Sequence, residues 1–155
     1  MEQAAKNDEI IHWYYLTGGT ALAEFYLQHR LSEDVDFNEY DYPQIDQGQT
    51  YGKLKVDSIY DIAINKLESM CNRTKARDYV DLYLLISQNI FSMEQIMMRV
   101  PDKFEHHWTN MQYIRAFFAV QEAIDYPTML VPFNKEDMID FYLAQAKKLE
   151  PKIFK

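Results

Sequence analysis

Apolar positions change their period partway along the chain. Tyr14-Tyr15-Leu16 is a short aromatic and apolar run suited to a buried strand, and it stops at Thr17-Gly18-Gly19. Thr20 is a good N-cap, and Leu22, Phe25, Tyr26 and His29 fall near helical spacing, so strand, glycine turn and helix follow in order. A weaker helical pattern over Ala4 to Trp13 precedes them. After the polar His29 to Glu33, Asp34-Val35-Asp36-Phe37 alternates with period two, as a strand does. Residues 38–52 are rich in turn formers and read as connection. Leu54 and Val56 alternate briefly, Asp57 or Ser58 can cap, and Ile59, Ile62, Ala63, Lys66 and Leu67 fit a helix reaching about Cys71. A basic turn, Asn72 to Lys75, leads to a second helix over Ala76 to Ser87 with a Tyr79, Leu82, Tyr83 and Ile86 stripe. Further helices are predicted over Ser92 to Val100, stopped by Pro101, over Asn110 to Ile124, and from an Asn134 cap to about Leu149.

These elements predict an α+β fold. A small mixed sheet belongs to an α/β core over residues 1–57, and a helical region fills 58–155. The 155 residues, 48% hydrophobic and 26% charged with only 4 Gly and 5 Pro, exclude a disordered or collagen-like chain. The net charge of -8 argues against general affinity for nucleic-acid phosphate unless the charge is uneven. It is uneven: residues 62–80 hold four basic and two acidic side chains, whereas residues 1–61 hold twelve acidic and four basic ones. Cys71 is alone, so no intrachain disulfide forms, and no apolar leader or run of 18 apolar residues is present. A cytoplasmic protein without a membrane partner is expected.

Three constellations could carry chemistry. Gly18-Gly19-Thr20 at a strand-to-helix junction lets backbone N–H groups approach an anion, although two glycines in a tight turn are also common as plain structure. Asp34 and Asp36, at i and i+2 of a strand, are expected to project to one side, where a magnesium ion would relieve their repulsion. An acidic, solvent-facing sheet edge is the bland alternative. Lys66 with Arg73, Lys75, Arg77, Asp78 and Asp81 gathers charge at a helical corner, either to hold phosphates or as ordinary surface ion pairs. Arg30 can clamp Asp34 or Asp36, or reach a triphosphate. A zinc site at the adjacent His106 and His107 is not supported by their spacing, and no base can be assigned to Cys71.

The string Tyr15-Leu16-Thr17-Gly18-Gly19-Thr20-Ala21-Leu22-Ala23, followed by His29 to Phe37, resembles the first motif of the AbiEii/AbiGii-type nucleotidyltransferase toxins, relatives of the MenT toxins. Asp57 to Leu67, then Arg73 and Arg77-Asp78-Tyr79-Val80-Asp81-Leu82-Tyr83, looks like that family's later motifs. The resemblance implies a polymerase-beta-like nucleotidyltransferase core. In it Gly18, Gly19 and Thr20 would hold an NTP, Asp34 and Asp36 would bind Mg2+, Lys66 and Arg77 would contact phosphate, and Asp78 would be an essential acid. It also implies an RNA acceptor, a tRNA end in relatives, and a cognate antitoxin.

One departure stands out. Family members usually place a helix and a third, acid-bearing strand between the Asp-x-Asp strand and the segment seen here as Tyr42-Pro43, yet Phe37 is only five residues before Tyr42. The core is thus apparently shortened, and Asp41, in a turn, and Asp57, at a helix cap, are poor substitutes for the absent acid. An impaired relative that keeps only nucleotide or antitoxin binding is the first rival reading, and a helical interaction module the second.

Overall fold

The computed structural model describes residues 2–39 and 43–153. A 3-10 turn (Ala4–Lys6) precedes helix α1 (Asp8–Trp13), which starts at Asn7 because that side chain accepts from the Glu9 and Ile10 amides. Strand β1 (Tyr14–Thr17) runs directly into α2 (Gly18–Leu22), which loosens to π-helical geometry over Ala23–Leu27. The helix therefore starts before Thr20 rather than at it. Thr20 is buried within the first turn, and its hydroxyl reaches Ser32 Oγ at 2.9 Å and the Asp34 carbonyl, which pins the loop after α2.

Strands β2 (Asp36–Glu39), β3 (Gln49–Tyr51) and β4 (Leu54–Val56) complete a mixed sheet of order β2-β1-β4-β3. β2 lies antiparallel to β1 with Thr17 opposite Asp36, and β4 lies parallel to β1 with Leu16 beside Val56. β2 starts at Asp36, not Asp34, because its partner β1 ends at Thr17. β3 falls inside the segment read as connection. All three of its residues are exposed, and antiparallel pairing with β4 makes it an edge strand.

The helical part comprises α3 (Ile59–Asn72), α4 (Ala76–Ser87), α5 (Met93–Phe104), α6 (Asn110–Phe118) and α7 (Lys135–Leu149). Ser58 caps α3, Ser92 and Thr109 form capping boxes on α5 and α6, and Asn134 caps α7. Two expected ends move: α5 continues through Pro101 to Phe104, and α6 gives way to a 3-10 turn (Ala119–Glu122) before Ile124. One apolar cluster runs from Leu16 and Val56 on the sheet through Ile62 and Leu67 to Leu82, Phe117 and Tyr142. Each such side chain contributes about 1.5–3 kcal/mol on burial. The buried hydroxyls among them are satisfied, Tyr79 donating to the Ala116 carbonyl at 2.9 Å and Tyr142 to the Tyr79 carbonyl at 2.8 Å. Far along the chain, residues 128–130 pair with residues 29–31, Leu31 N–H donating to Thr128 and Leu130 N–H to His29. This ribbon holds His29 and Arg30 over the start of α4. No helix among the described residues is long and apolar enough to cross a membrane.

Candidate active site

Both glycines at the junction of β1 and α2 are needed for close approach. Gly18 has φ +73°, a conformation side chains resist, and a β-carbon there would collide with the Asp36 carboxylate. A β-carbon on Gly19 would collide with the Arg30 guanidinium. The bend thus brings an acid and a buried cation against the first turn of α2. In front of it lies an open cleft of about 440 Å³, lined by Thr17, Gly18, Asp36, Phe37 and Asn38 on the sheet side, by Asn65, Lys66, Glu68, Ser69 and Arg73 from α3 and its end, and by Phe104.

Behind the cleft sits a buried chain of charges. Asp81 is fully buried and accepts from Arg30 Nε at 2.6 Å and Nη2 at 2.8 Å; His29 Nε2 lies 2.7 Å and Lys66 Nζ 2.8 Å from its oxygens. Lys66 also reaches Asp78 at 3.0 Å, and Asp78 takes Arg73 Nε at 3.0 Å on its other oxygen. Burial alone would raise the Asp81 carboxyl, but Lys66, Arg30 and His29 outweigh it and hold it far below the usual carboxylate range. The same partners hold Lys66 and Arg30 charged: burial opposes their protonation, and Asp81 and Asp78 more than restore it. Arg30 is therefore a structural clamp, but on Asp81, not on Asp34 or Asp36.

A second buried network, unread in the sequence, lies under the sheet. Lys103 is fully buried with its ammonium 2.6 Å from Asp61 and 3.8 Å from Asp57. Asp61 also takes the Ser58 hydroxyl at 2.5 Å and the Ile45 and Asp46 amides, so although burial would raise it, Lys103 and these donors hold it low. Asp57 is not the cap of α3. It follows β4 into the interior, with its N–H on the Leu16 carbonyl and its carboxylate accepting from Thr17 Oγ1 at 2.7 Å, Gln44 at 3.1 Å and Asn65 at 3.2 Å. Burial pushes its carboxyl up, with Lys103, Thr17 and Gln44 only partly opposing.

The structure divides the residues singled out from sequence. Gly18, Asp36 and Lys66 line one cleft, with Asp78 behind Lys66. Asp34 and Arg77 pair with each other at 3.0 Å and line a neighbouring, polar cleft of about 390 Å³ with Lys75 and Asp125. Gly19 and Thr20 pack against Arg30 and Ser32. A resident ion bridging Asp34 and Asp36 does not fit this arrangement, since Asp34 precedes the strand and is engaged by Arg77. Among the described residues no three His, Cys, Asp or Glu side chains gather as metal ligands. Asp41 and Tyr42 lie outside the described residues. Cys71 is half-buried, and burial, with Glu68 nearby, pushes its thiol up to about 12, which keeps it protonated. His106 lies 3.3 Å from Glu68 and stacks edge-on to Trp108.

Comparison with known families adds the last observation. The family model described as nucleotidyl transferase AbiEii toxin, type IV toxin–antitoxin system, matches residues 38–149, more than half of the chain. The match takes in α3, α4 and the helices behind them and starts after Asp36. No curated protein and no solved structure matches.

Proposed function

Because the chain belongs to the family of AbiEii nucleotidyl transferase toxins of type IV toxin–antitoxin systems, we propose that it transfers a nucleotide from an NTP to an RNA acceptor, with the cleft at Gly18 and Asp36 as the site. The observation that carries this reading is the meeting of a side-chain-free bend, one exposed carboxylate, Lys66 of α3 and Arg73 just past its end around a single cleft. Backbone N–H groups at the bend are the donors for phosphate oxygens. Arg73, half-exposed, is the cation that can reach a phosphate, and the buried Lys66 adds positive charge behind it. The substrate would arrive as its magnesium salt, and Asp36, which forms no ion pair among the described residues, is the carboxylate that would meet it. Lys75 and Arg77 flank this corner and offer partly exposed charge to an acceptor such as tRNA, in competition with their partners Asp125 and Asp34. Charge stabilisation and alignment of the attacking hydroxyl are what such a site contributes. The family's setting also makes an antitoxin the cognate partner.

A second reading, a relative that binds nucleotide without turnover, is favoured by the engagement of Asp34 with Arg77 outside the cleft. One experiment separates the two. Purified protein is incubated with magnesium, total tRNA and each α-labelled NTP in turn, and NTP binding is followed in parallel by calorimetry. Labelled RNA from the wild type, reduced by about 10²-fold or more in Asp36→Asn, supports transfer. Binding with no labelled RNA selects the second reading, and neither binding nor labelling rejects both.

A further inference from the structure

Asp57 differs from the other buried carboxylates in its company. Asp81 touches two cations and a histidine, Asp78 touches Lys66 and Arg73, and Asp61 holds Lys103 at 2.6 Å. Among the described residues the groups that hydrogen-bond the Asp57 carboxylate are all neutral: the Thr17 hydroxyl and the Gln44 and Asn65 amides. Among the described residues the charged and titratable groups facing Asp57 are Lys103 from α5 at 3.8 Å, Asp61 from the first turn of α3, and the Tyr26 hydroxyl, which donates to the Asp57 carbonyl at 2.7 Å. Lys103 is the strongest influence holding the Asp57 carboxylate charged, ahead of Thr17 and Gln44, but at 3.8 Å it makes no hydrogen bond to it, and a buried carboxylate without a cation in direct contact is a stronger base than one clamped by cations. Lys103 and Asp61 neutralise each other at close range, which weakens the pull of the ammonium on Asp57.

Asp57 is also connected to the cleft. Thr17 lies between β2 and β4 at the end of the sheet, opposite Asp36 on one side and hydrogen-bonded to Asp57 on the other. Thr17 and Asn65 both line the cleft, and the Asn65 amide bridges Thr17 Oγ1 at 3.3 Å and Asp57 Oδ2 at 3.2 Å. The Asn65 amide thus fixes the Thr17 rotamer with its hydroxyl hydrogen on the carboxylate. Thr17 Oγ1 can still accept a hydrogen from the cleft side.

We propose that Thr17 is the group that takes the proton of the attacking hydroxyl, passing its own proton to Asp57, which acts through it as a positioning residue and proton store. This rests on the nucleotide-transfer reading and deepens it. In the step, the acceptor oxygen bonds to the α-phosphorus and the bond from that phosphorus to the bridging oxygen of the β-phosphate breaks. Pyrophosphate leaves with the electron pair, the acceptor proton moves to Thr17 Oγ1, and the Thr17 proton moves to Asp57 Oδ2. Asp57 must begin as the carboxylate, so the rate falls as pH drops through its raised pKa.

The test uses the full chain with magnesium, total tRNA and the α-labelled NTP that the wild type transfers. Thr17→Val is expected to lower kcat by about 10²-fold or more with KM for the NTP changed by less than about twofold, while Thr17→Ser restores transfer. Gln44→Ala, at an exposed position, removes one donor from Asp57 and is expected to move the acid limb of the pH–rate profile upward. Three outcomes overturn the proposal while leaving nucleotide transfer standing: a kcat for Thr17→Val within about threefold of the wild type, a Thr17→Ser enzyme as inactive as Thr17→Val, or an acid limb unmoved by Gln44→Ala. A wild type that transfers from none of the four NTPs overturns the nucleotide-transfer reading itself, and this proposal with it.

Discussion

Asp81→Asn tests the buried charge chain that holds the cleft's rear wall. The substitution preserves shape and removes one charge from a side chain that is fully buried and contacts Arg30 twice, Lys66 and His29. Arg30, 4% exposed, loses its only carboxylate contact among the described residues, and Lys66, 6% exposed, is left to share Asp78 with Arg73. Removing one partner of a buried ion pair costs about 3–5 kcal/mol because the remaining charge is stranded. With two cations stranded here, the upper part of that range is expected. For a domain of this size each kcal/mol lowers Tm by about 2–4 °C, so a cost of about 4–5 kcal/mol should lower the thermal midpoint by about 8–20 °C. The control is Asp34→Asn, which breaks the exposed Asp34–Arg77 pair and should cost no more than about 1 kcal/mol. Thermal and urea unfolding followed by circular dichroism measure the midpoint and the free energy of both variants. If Asp81→Asn costs as little as Asp34→Asn, the chain is not holding the fold and the reasoning fails.

Other consequences follow from the same geometry. Gly18→Ala forces a β-carbon into a φ of +73° and onto the Asp36 carboxylate; a cost of about 1–2 kcal/mol for the backbone alone is expected, together with loss of NTP binding by calorimetry, and wild-type affinity would count against the bend as a phosphate seat. The acid side of the stability profile has a definite sign. The folded pKa values of Asp81 and Asp61 are depressed, so their stabilisation is complete above the ordinary aspartate range, near about 4, and is lost as pH falls through the depressed values. Asp57, whose carboxyl is raised, acts in the opposite direction, its ionised form being the one burial disfavours. A urea midpoint that stays constant from about pH 5 to about pH 2 would contradict the dominance of the two depressed groups.

Local signals carried the helices. The Ile59 to Leu67 stripe, the Ser58 and Asn134 caps and the basic corner between α3 and α4 all stand where their spacing indicates. The pairing of Lys66 with Asp78 across that corner follows from the helical hairpin that the sequence pattern implies. Tertiary partners decided the rest. Gln49-Thr50-Tyr51 has no apolar alternation and becomes a strand only because β4 offers a ladder. Pro101 should end α5, but continuation by one turn places Lys103 on Asp61, an interaction across 42 residues that no local pattern encodes. Arg30 meets Asp81 across 51 residues for the same reason, which leaves Asp34 and Asp36 without the clamp expected from their proximity in sequence. The two acids separate because alternation sets sidedness only within a strand, and the ladder starts at Asp36. Asp57 reads as a cap from its place before a helix, and only the parallel pairing of β4 with β1 turns it inward toward Thr17.

The central claim is that a triphosphate binds where the β1–α2 bend faces Asp36. Backbone amide shifts of the full chain, recorded as a non-hydrolysable NTP analogue is added with magnesium, test it most directly. The account expects saturable shifts at Gly18, Gly19 and Asp36 to Asn38 and along the cleft side of α3, abolished by Asp36→Asn. Shifts confined to the larger cavity of about 640 Å³ lined by Met97, Tyr113 and Phe141, or none at any residue, would contradict it.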